Sequence, residues 1–323
     1  MTDPAPSLEL TDLEPTAADM TALVLEGLAK PQKTLPTAFL YDEAGSALFD
    51  EICRLPEYYP TRTELSIMER SLPEMADAIG PEALVIEYGS GTGLKTRKLL
   101  AALRDPVAYV PVEISREFLK TSAASLQSEF ENIEVLPVCA DFTEPFDVPA
   151  SSRPARRRAL YFPGSTIGNF RPEVAVRLLR QMREEVGSGG CALLGVDLVK
   201  DVDVLEAAYD DAAGVTAKFN LNLLRRANDE LGADFDLGAF RHRAVWSASR
   251  SAIEMRLYAR RPTAVNVGGK RFTFNAGEWI HTEDSHKYTL EGFADLAHAG
   301  GFDVEQVWTD DQDYFSVQYL RAR

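Results

Sequence analysis

The chain is short of cysteine, histidine and net positive charge, and each shortage closes off a class of function. Its 323 residues hold three cysteines, Cys53, Cys139 and Cys191, an odd number without a CxxC pair. That excludes a disulfide framework and a thiolate zinc site, and suits buried thiols in a reducing compartment. Cys139 and Cys191 fall inside strand-like runs, where cysteine acts as a small apolar filler. Of four histidines, His281 and His286 invite a metal pair, but no third ligand stands at a fitting spacing, so no metal is expected. Acids outnumber Lys and Arg by 50 to 34, a net charge of −16. A nucleic-acid polymer is therefore a poor substrate, because phosphate neutralisation needs a basic face. The one basic cluster, Arg153, Arg156, Arg157 and Arg158, lies in a Pro/Ser-rich stretch and reads as a solvated connection. No apolar run approaches membrane-spanning length. No Lys or Arg precedes Lys30, so the N-terminus does not read as a signal peptide. The expectation is a cytoplasmic monomer with neither membrane nor nucleic acid as partner.

What is present is an ordinary globular composition, 45% hydrophobic and 26% charged, in a chain long enough for a substantial core. The most informative stretch is Leu84–Gly93, LVIEYGSGTG. A continuous apolar run ending in an acid and a tight glycine turn predicts a buried parallel strand opening onto a helix, where backbone N–H groups approach a ligand. Gly89, Gly91 and Gly93 do not fit the dinucleotide fingerprint, whose third glycine would fall at Leu94. The turn resembles the first motif of methyltransferases that use S-adenosylmethionine.

Further strands are predicted at Ala108–Ser115, Ile133–Phe142, the start of Ala159–Phe170, and Cys191–Leu198. A helix over Pro172–Val186 separates the last two. Apolar strands alternating with amphipathic helices imply an α/β, doubly wound parallel sheet. Before it, a helix is expected over Thr16–Lys30 on Met20, Leu23, Val24 and Leu28. Two capping boxes, Thr61 with Glu64 and Ser71 with Glu74, predict consecutive helical segments. After about Asp201 the rhythm breaks: a long helical piece around Tyr209–Asn228 is followed by alternating strands with a Gly268–Gly269 turn, an antiparallel subdomain. Thr289–Phe302 resumes a helix and a strand pair ends the chain. The expected division is a mobile acidic tail over 1–15, a cofactor domain over 63–200 completed by 288–323, and a smaller α+β substrate lobe. That lobe is made of 16–62 and the insertion 201–287, with the substrate cleft between lobes.

Ligands of such sheets sit at the carboxyl ends of the strands. Gly89, Gly91 and the helix start can host the methionine end of S-adenosylmethionine, with Lys95 meeting its carboxylate. Glu113 can accept both ribose hydroxyls, Asp141 the adenine amino hydrogens, and Phe142 offers a ring face or backbone N–H. The bland alternatives are a solvated Lys95 and helix-capping acids.

Longer segments carry a second resemblance: LPTAFLYDEAGSALFDEI (35–52), LPEYYPTRTE (55–64), YFPGSTIGNF (161–170), AAYDDAAGVTAKFN (207–220) and IHTEDSHKY (280–288). They resemble the histidine-specific Nα-methyltransferases of ergothioneine biosynthesis, which convert L-histidine to hercynine in three methyl transfers. The resemblance implies a Rossmann-like class I methyltransferase fold and a histidine pocket of Tyr58, Asn169, Tyr209, Glu283 and Ser285, with Tyr41 and Met255 nearby. It gives Asn169 and Tyr209 the substrate carboxylate, and Glu283, Ser285 and Tyr58 the imidazole. Tyr41 would bound the space where methyl groups accumulate and face the ammonium, and Met255 would be wall. Without the resemblance, Tyr58–Tyr59–Pro60 reads as an aromatic turn packed on the core, and Glu283–Asp284 as a solvated acidic turn. Leu94, often polar in relatives, and Glu113, often Asp, depart from the pattern. The alternatives are a related acceptor, a tryptophan-derived amine or a thiohistidine, and a non-catalytic protein that binds S-adenosylmethionine.

Overall fold

The computed structural model describes residues 10–13, 19–91 and 93–323. In chain order the strands are β1 (Thr11–Asp12), β2 (Ala83–Tyr88), β3 (Ala108–Glu113), β4 (Glu134–Val135), β5 (Val138–Cys139), β6 (Arg157–Phe162) and β7 (Cys191–Asp197). They continue as β8 (Phe240–Ser247), β9 (Ala252–Ala259), β10 (Thr263–Val267), β11 (Lys270–Phe274), β12 (Trp279–His286), β13 (Phe302–Thr309) and β14 (Phe315–Ala322). The α-helices are α1 (Met20–Ala29), α2 (Glu43–Ile52), α3 (Tyr59–Ile79), α4 (Leu94–Ala102), α5 (Arg116–Glu129), α6 (Pro172–Val186), α7 (Val202–Tyr209), α8 (Val215–Leu231) and α9 (Leu290–Ala299). The chain divides into two compact units, one of Met1–Thr16, Thr63–Leu198 and Tyr288–Arg323, the other of Ala17–Arg62 and Val199–Lys287.

The first unit is built on one sheet in the order β1-β5-β3-β2-β6-β7-β14-β13, with β4 also paired to β3. Pairing is parallel from β1 to β7, and β14 runs antiparallel to β7 and β13. β2 shows why it sits in the middle. Leu84, Ile86 and Tyr88 enter one buried cluster and Ala83 and Val85 the other, so both faces of the strand are covered and it reads as a continuous apolar run. Here the α/β, doubly wound sheet appears as expected, with its antiparallel completion.

Several local expectations are corrected. The predicted strand Ile133–Phe142 is two short pieces, β4 and β5, because Pro137 between them has no N–H to give a ladder. The two capping boxes do not divide the helix. α3 runs unbroken through Pro73, since Ile67, Met68, Met75, Ala76 and Ile79 are buried in one cluster and packing outweighs the missing hydrogen bond. The mobile tail lies mostly outside the described residues, but Thr11 and Asp12 within it pair with Val138 and Cys139. The basic cluster is not simply a solvated connection. Arg157 donates to the carbonyls of Ala78 (3.0 Å) and Ile79 (2.8 Å) and Arg158 to that of Glu185 (3.0 Å), so two guanidinium groups satisfy the C-termini of α3 and α6.

The second unit holds the antiparallel sheet β12-β9-β8 and the hairpin β10-β11. Gly268 and Gly269 turn the hairpin at φ of +53° and +76°, values that glycine adopts without strain. Beyond the hairpin turn, β11 and β12 are separate strands, divided by a turn with Gly277 at φ +82°. The long helical piece is α7 and α8, broken at Asp210–Gly214, so Tyr209 ends a helix rather than starting one. In α1, Met20, Val24 and Leu28 are buried, whereas Leu23 is 39% exposed. The N-terminal segment joins β12 directly: Leu35 donates to the His281 carbonyl and His281 N–H to that of Lys33, both at 2.9 Å.

Candidate active site

In the first unit the turn after β2 has Gly89, Gly91 and Gly93 at φ +65°, +47° and +70°. A Cβ at Gly89 or Gly91 would meet nothing closer than 3.8 Å, so it is the backbone angle rather than crowding that calls for glycine there. Beneath the turn, Glu87 is buried, and the Thr96 hydroxyl donates to its two oxygens at 2.8 and 2.7 Å while the Tyr109 hydroxyl also donates. Burial still pushes this carboxyl up to about 7, against those hydrogen bonds. The bonds tie the first turn of α4 to the sheet.

Lys95, on that turn, pairs with Glu64, a buried carboxylate of α3 that also accepts from the backbone N–H of Gly164 at 2.9 Å. Gly195 makes the room, because a Cβ there would sit 2.3 Å from a Glu64 oxygen. Lys95 is thus neither solvated nor on its own. The loop beyond Gly164 is held at several points. Ser165 takes φ +57° and its hydroxyl oxygen accepts from Asp197 N–H at 2.9 Å, and Thr166 donates to the Pro163 carbonyl at 3.0 Å. Half-buried Asn169 ends the short 3-10 turn Thr166–Asn169 that follows. Glu113 ends β3, where burial raises its carboxyl above the usual range, and one oxygen accepts from Ile114 N–H at 2.9 Å. Asp141 accepts from the backbone and hydroxyl of Thr143 (2.9 and 2.7 Å), a local turn. Phe142 stacks on Tyr88 at 5.0 Å and reaches Phe162 and Phe170, so much of its ring is committed to packing.

The second unit carries the other candidates, with Glu283 and Ser285 on β12. Six consecutive polar residues, Thr282 to Lys287, are all buried, none more than 6% exposed. The Glu283–Asp284 pair is therefore no solvated turn. A register shift between His281 and Glu283 marks a bulge, and beyond it side chains alternate, with Glu283, Ser285 and Lys287 on one face. Met255 of β9 lies opposite Glu283. On the other face Asp284 is paired by Arg250 (2.5 Å) and His281 (2.8 Å) and stays below its ordinary value, burial opposing and these partners prevailing. Glu283 differs: among the described residues no hydrogen bond to its carboxyl is made. Burial pushes it up to about 8, the Lys287 ammonium pulling down and Asp284 pushing up.

Around that face, the Tyr209 and Ser285 hydroxyls are 2.9 Å apart, and the Tyr58 ring meets the Tyr209 ring edge-on at 5.9 Å. Tyr58 is buried in this aromatic group, as the packed reading also expected. Tyr41, 41% exposed, lies 5.6 Å from Phe49 and 5.4 Å from Phe219. His242 fixes the end of α7: its Nε2–H donates to the Tyr209 carbonyl (2.7 Å) while Nδ1 accepts from the Asn220 amide (2.8 Å). Burial holds that imidazole below its ordinary value, in keeping with the neutral form this geometry needs.

Three residues escape sequence reasoning. Glu64 was assigned to a capping box, Glu87 carried no role, and Lys287 was passed over within IHTEDSHKY. For Lys287 a signal existed, since period-two alternation from Glu283 through Ser285 reaches it.

A glycine turn after the central strand of a parallel sheet with an antiparallel final strand defines the class of S-adenosylmethionine-dependent methyltransferases. The chain belongs, within that class, to the histidine-specific, S-adenosylmethionine-dependent methyltransferase family, whose model matches residues 20–322. It is 43% identical over 315 residues to a histidine N-alpha-methyltransferase of Mycolicibacterium smegmatis, covering 93% of this chain and 96% of that one. A histidine N-alpha-methyltransferase of Mycobacterium tuberculosis is 42% identical over 300 residues, covering 91% and 92%. Ergothioneine biosynthesis protein 1 of Neurospora crassa is 29% identical over 300 residues, 87% of this chain and 32% of that one. The first unit suits the shared methyl donor. Ser90 Oγ, in the glycine turn, is buried without a hydrogen-bond partner among the described residues, and the carboxylates of Glu113 and Asp141 stand at strand ends.

Proposed function

We propose that this enzyme transfers three methyl groups from S-adenosylmethionine to the α-amine of L-histidine, giving hercynine for ergothioneine biosynthesis. We propose further that it acts in the cytoplasm as a monomer on this small molecule alone. No helix among the described residues is long and apolar enough to cross a membrane. One observation carries the choice of acceptor: the buried carboxyl of Glu283, without a hydrogen-bonding partner among the described residues, on the same strand face as Ser285. An imidazole has one N–H to donate and one bare nitrogen to accept. A Glu283 carboxyl oxygen takes the first, and the Ser285 hydroxyl supplies the second. An indole offers a donor and no ring acceptor, so it leaves Ser285 unanswered.

The bound donor supplies an electrophilic methyl on a sulfonium. Gly89, Gly91, Lys95, Glu113, Asp141 and Phe142 would hold it. Tyr209, with Asn169 of the first unit assigned by the family resemblance, receives the substrate carboxylate and fixes the α-amine. Tyr58 closes on the ring, Met255 forms wall, and the Tyr41 ring faces the ammonium as methyl groups accumulate. The positive charge moves from sulfur to nitrogen, so catalysis comes from alignment and desolvation. Before each transfer the amine gives its proton to water. Mass spectrometry of histidine incubated with enzyme and S-adenosylmethionine tests the reading. Gains of one, two and three methyl units are expected, and no gain on histidine beside turnover of a tryptophan-derived amine or thiohistidine would refute it.

A further inference from the structure

Gln181 of α6 has no task in the reading above, on which this inference rests: there Asp141 and Phe142, in the turn after β5, receive the adenine of the methyl donor. The half-buried Gln181 side chain reaches that turn. Its amide nitrogen lies 3.1 Å from the Phe142 carbonyl and 3.1 Å from the Glu144 carbonyl, with the Tyr88 hydroxyl at 3.2 Å and a Glu185 oxygen at 3.0 Å. The nitrogen has two hydrogens for these four oxygens. Tyr88 and Glu185 answer each other, the hydroxyl donating to the second Glu185 oxygen. The two carbonyls have no such alternative, since among the described residues no other group donates to either. We propose that Gln181 is a positioning residue that holds the Asp141–Glu144 turn in the form that accepts adenine and rejects a 6-oxo purine.

Asp141 closes the turn from its other side. Its carbonyl accepts from Glu144 N–H at 3.0 Å, and one carboxylate oxygen accepts from Thr143. The Phe142 N–H shares a planar trans peptide with that carbonyl, so the Glu144 bond points the N–H away from the turn. Phe142 commits its ring to Tyr88, Phe162 and Phe170, which leaves the N–H as the polar group it offers. Neither this N–H nor the second Asp141 carboxylate oxygen is bonded by a described residue. A donor beside an acceptor matches adenine, whose amino group donates and whose N1 accepts. Hypoxanthine reverses both, with an oxygen acceptor beside N1–H, and leaves both protein groups unanswered. Gln181 secures, through their carbonyls, the two residues on which the direction of the Phe142 N–H depends.

The test measures dissociation constants of S-adenosylhomocysteine and of its hypoxanthine counterpart, S-inosylhomocysteine, by calorimetry on wild type, Gln181→Met and Gln181→Lys. Methionine keeps the length and helix propensity without the donors, and lysine keeps donors. Gln181→Met should weaken S-adenosylhomocysteine about tenfold and S-inosylhomocysteine no more than about twofold, while KM for histidine stays within about twofold. Gln181→Lys should restore part of the preference for adenine. Equal weakening of both ligands, or a preference left as in wild type, would overturn the proposal, because a merely structural glutamine has no reason to tell the bases apart. Gln181→Ala carries the same expectation and serves where the methionine variant does not fold. A wild type that binds both ligands alike would instead refute the placement of adenine on this turn, and the role of Gln181 with it.

Discussion

Glu87 and Glu283 are two buried carboxyls, one in each unit, and they differ in what answers them. Glu87 sits under the glycine turn with hydrogen bonds from Thr96 and Tyr109, and rises to about 7. Glu283 sits on β12 with no hydrogen bond from any described residue, and rises to about 8. A buried carboxyl answered from within holds the fold together. One left unanswered beside hydroxyls and an ammonium is arranged for a partner from outside. Under the glycine turn the first unit answers Glu87 from within, whereas the second leaves open the group that, on the proposed reading, chooses the acceptor.

The largest expected effect breaks that comparison on the substrate side. Glu283→Ala should lower kcat/KM for histidine by roughly 100-fold or more while costing tryptophan far less, because only the imidazole loses its acceptor. Similar losses on both amino acids would remove the specificity role. On the other side, Glu64→Gln weakens the hold on Lys95 and the Gly164 loop. It should raise KM for S-adenosylmethionine about tenfold, and a variant that moved only the histidine KM would contradict the division of labour.

A smaller effect concerns pH. Turnover should rise a few-fold from neutral into mild alkalinity as the amine loses its proton, whereas a flat profile with methyl transfer rate-limiting would contradict the neutral-amine mechanism. The smallest effect is on stability, and its sign is set by the raised carboxyls. A carboxyl that holds its proton to about 8 when folded, against 4.5 as its ordinary value, stabilises the fold fully below 4.5. That contribution is lost as pH rises through 8. The ligand-free protein should therefore melt about 5 °C lower at pH 9 than at pH 6. Glu283→Gln should flatten that slope more than Glu87→Gln; the reverse order would mean that Glu283 has an internal partner after all.

Much of the first unit could be read from the chain, because its strands are apolar and its helices periodic. β2, β3, β6 and β7 follow from hydrophobic runs, and α6 from Leu178, Met182 and Val186 on one face. Pattern failed where tertiary partners decide. Ser71 with Glu74 looks like a helix start, yet buried Met75, Ala76 and Ile79 carry α3 straight through. Arg157 and Arg158 look solvated, yet each closes the end of a helix. Six polar residues in a row at 282–287 look like surface, and partners such as Arg250, His281 and Tyr209, distant in sequence or set by the bulge, make their burial tolerable. The family resemblance supplied those site residues where periodicity could not, and it passed over Lys287.

The most direct measurement of the central claim is the nitrogen-15 NMR spectrum of ring-labelled L-histidine bound to the enzyme with the spent, demethylated cofactor above pH 8. The account predicts one protonated ring nitrogen whose signal marks a strong hydrogen bond to a carboxylate, lost in Glu283→Gln. A bound imidazole with the same two signals in wild type and variant would contradict it.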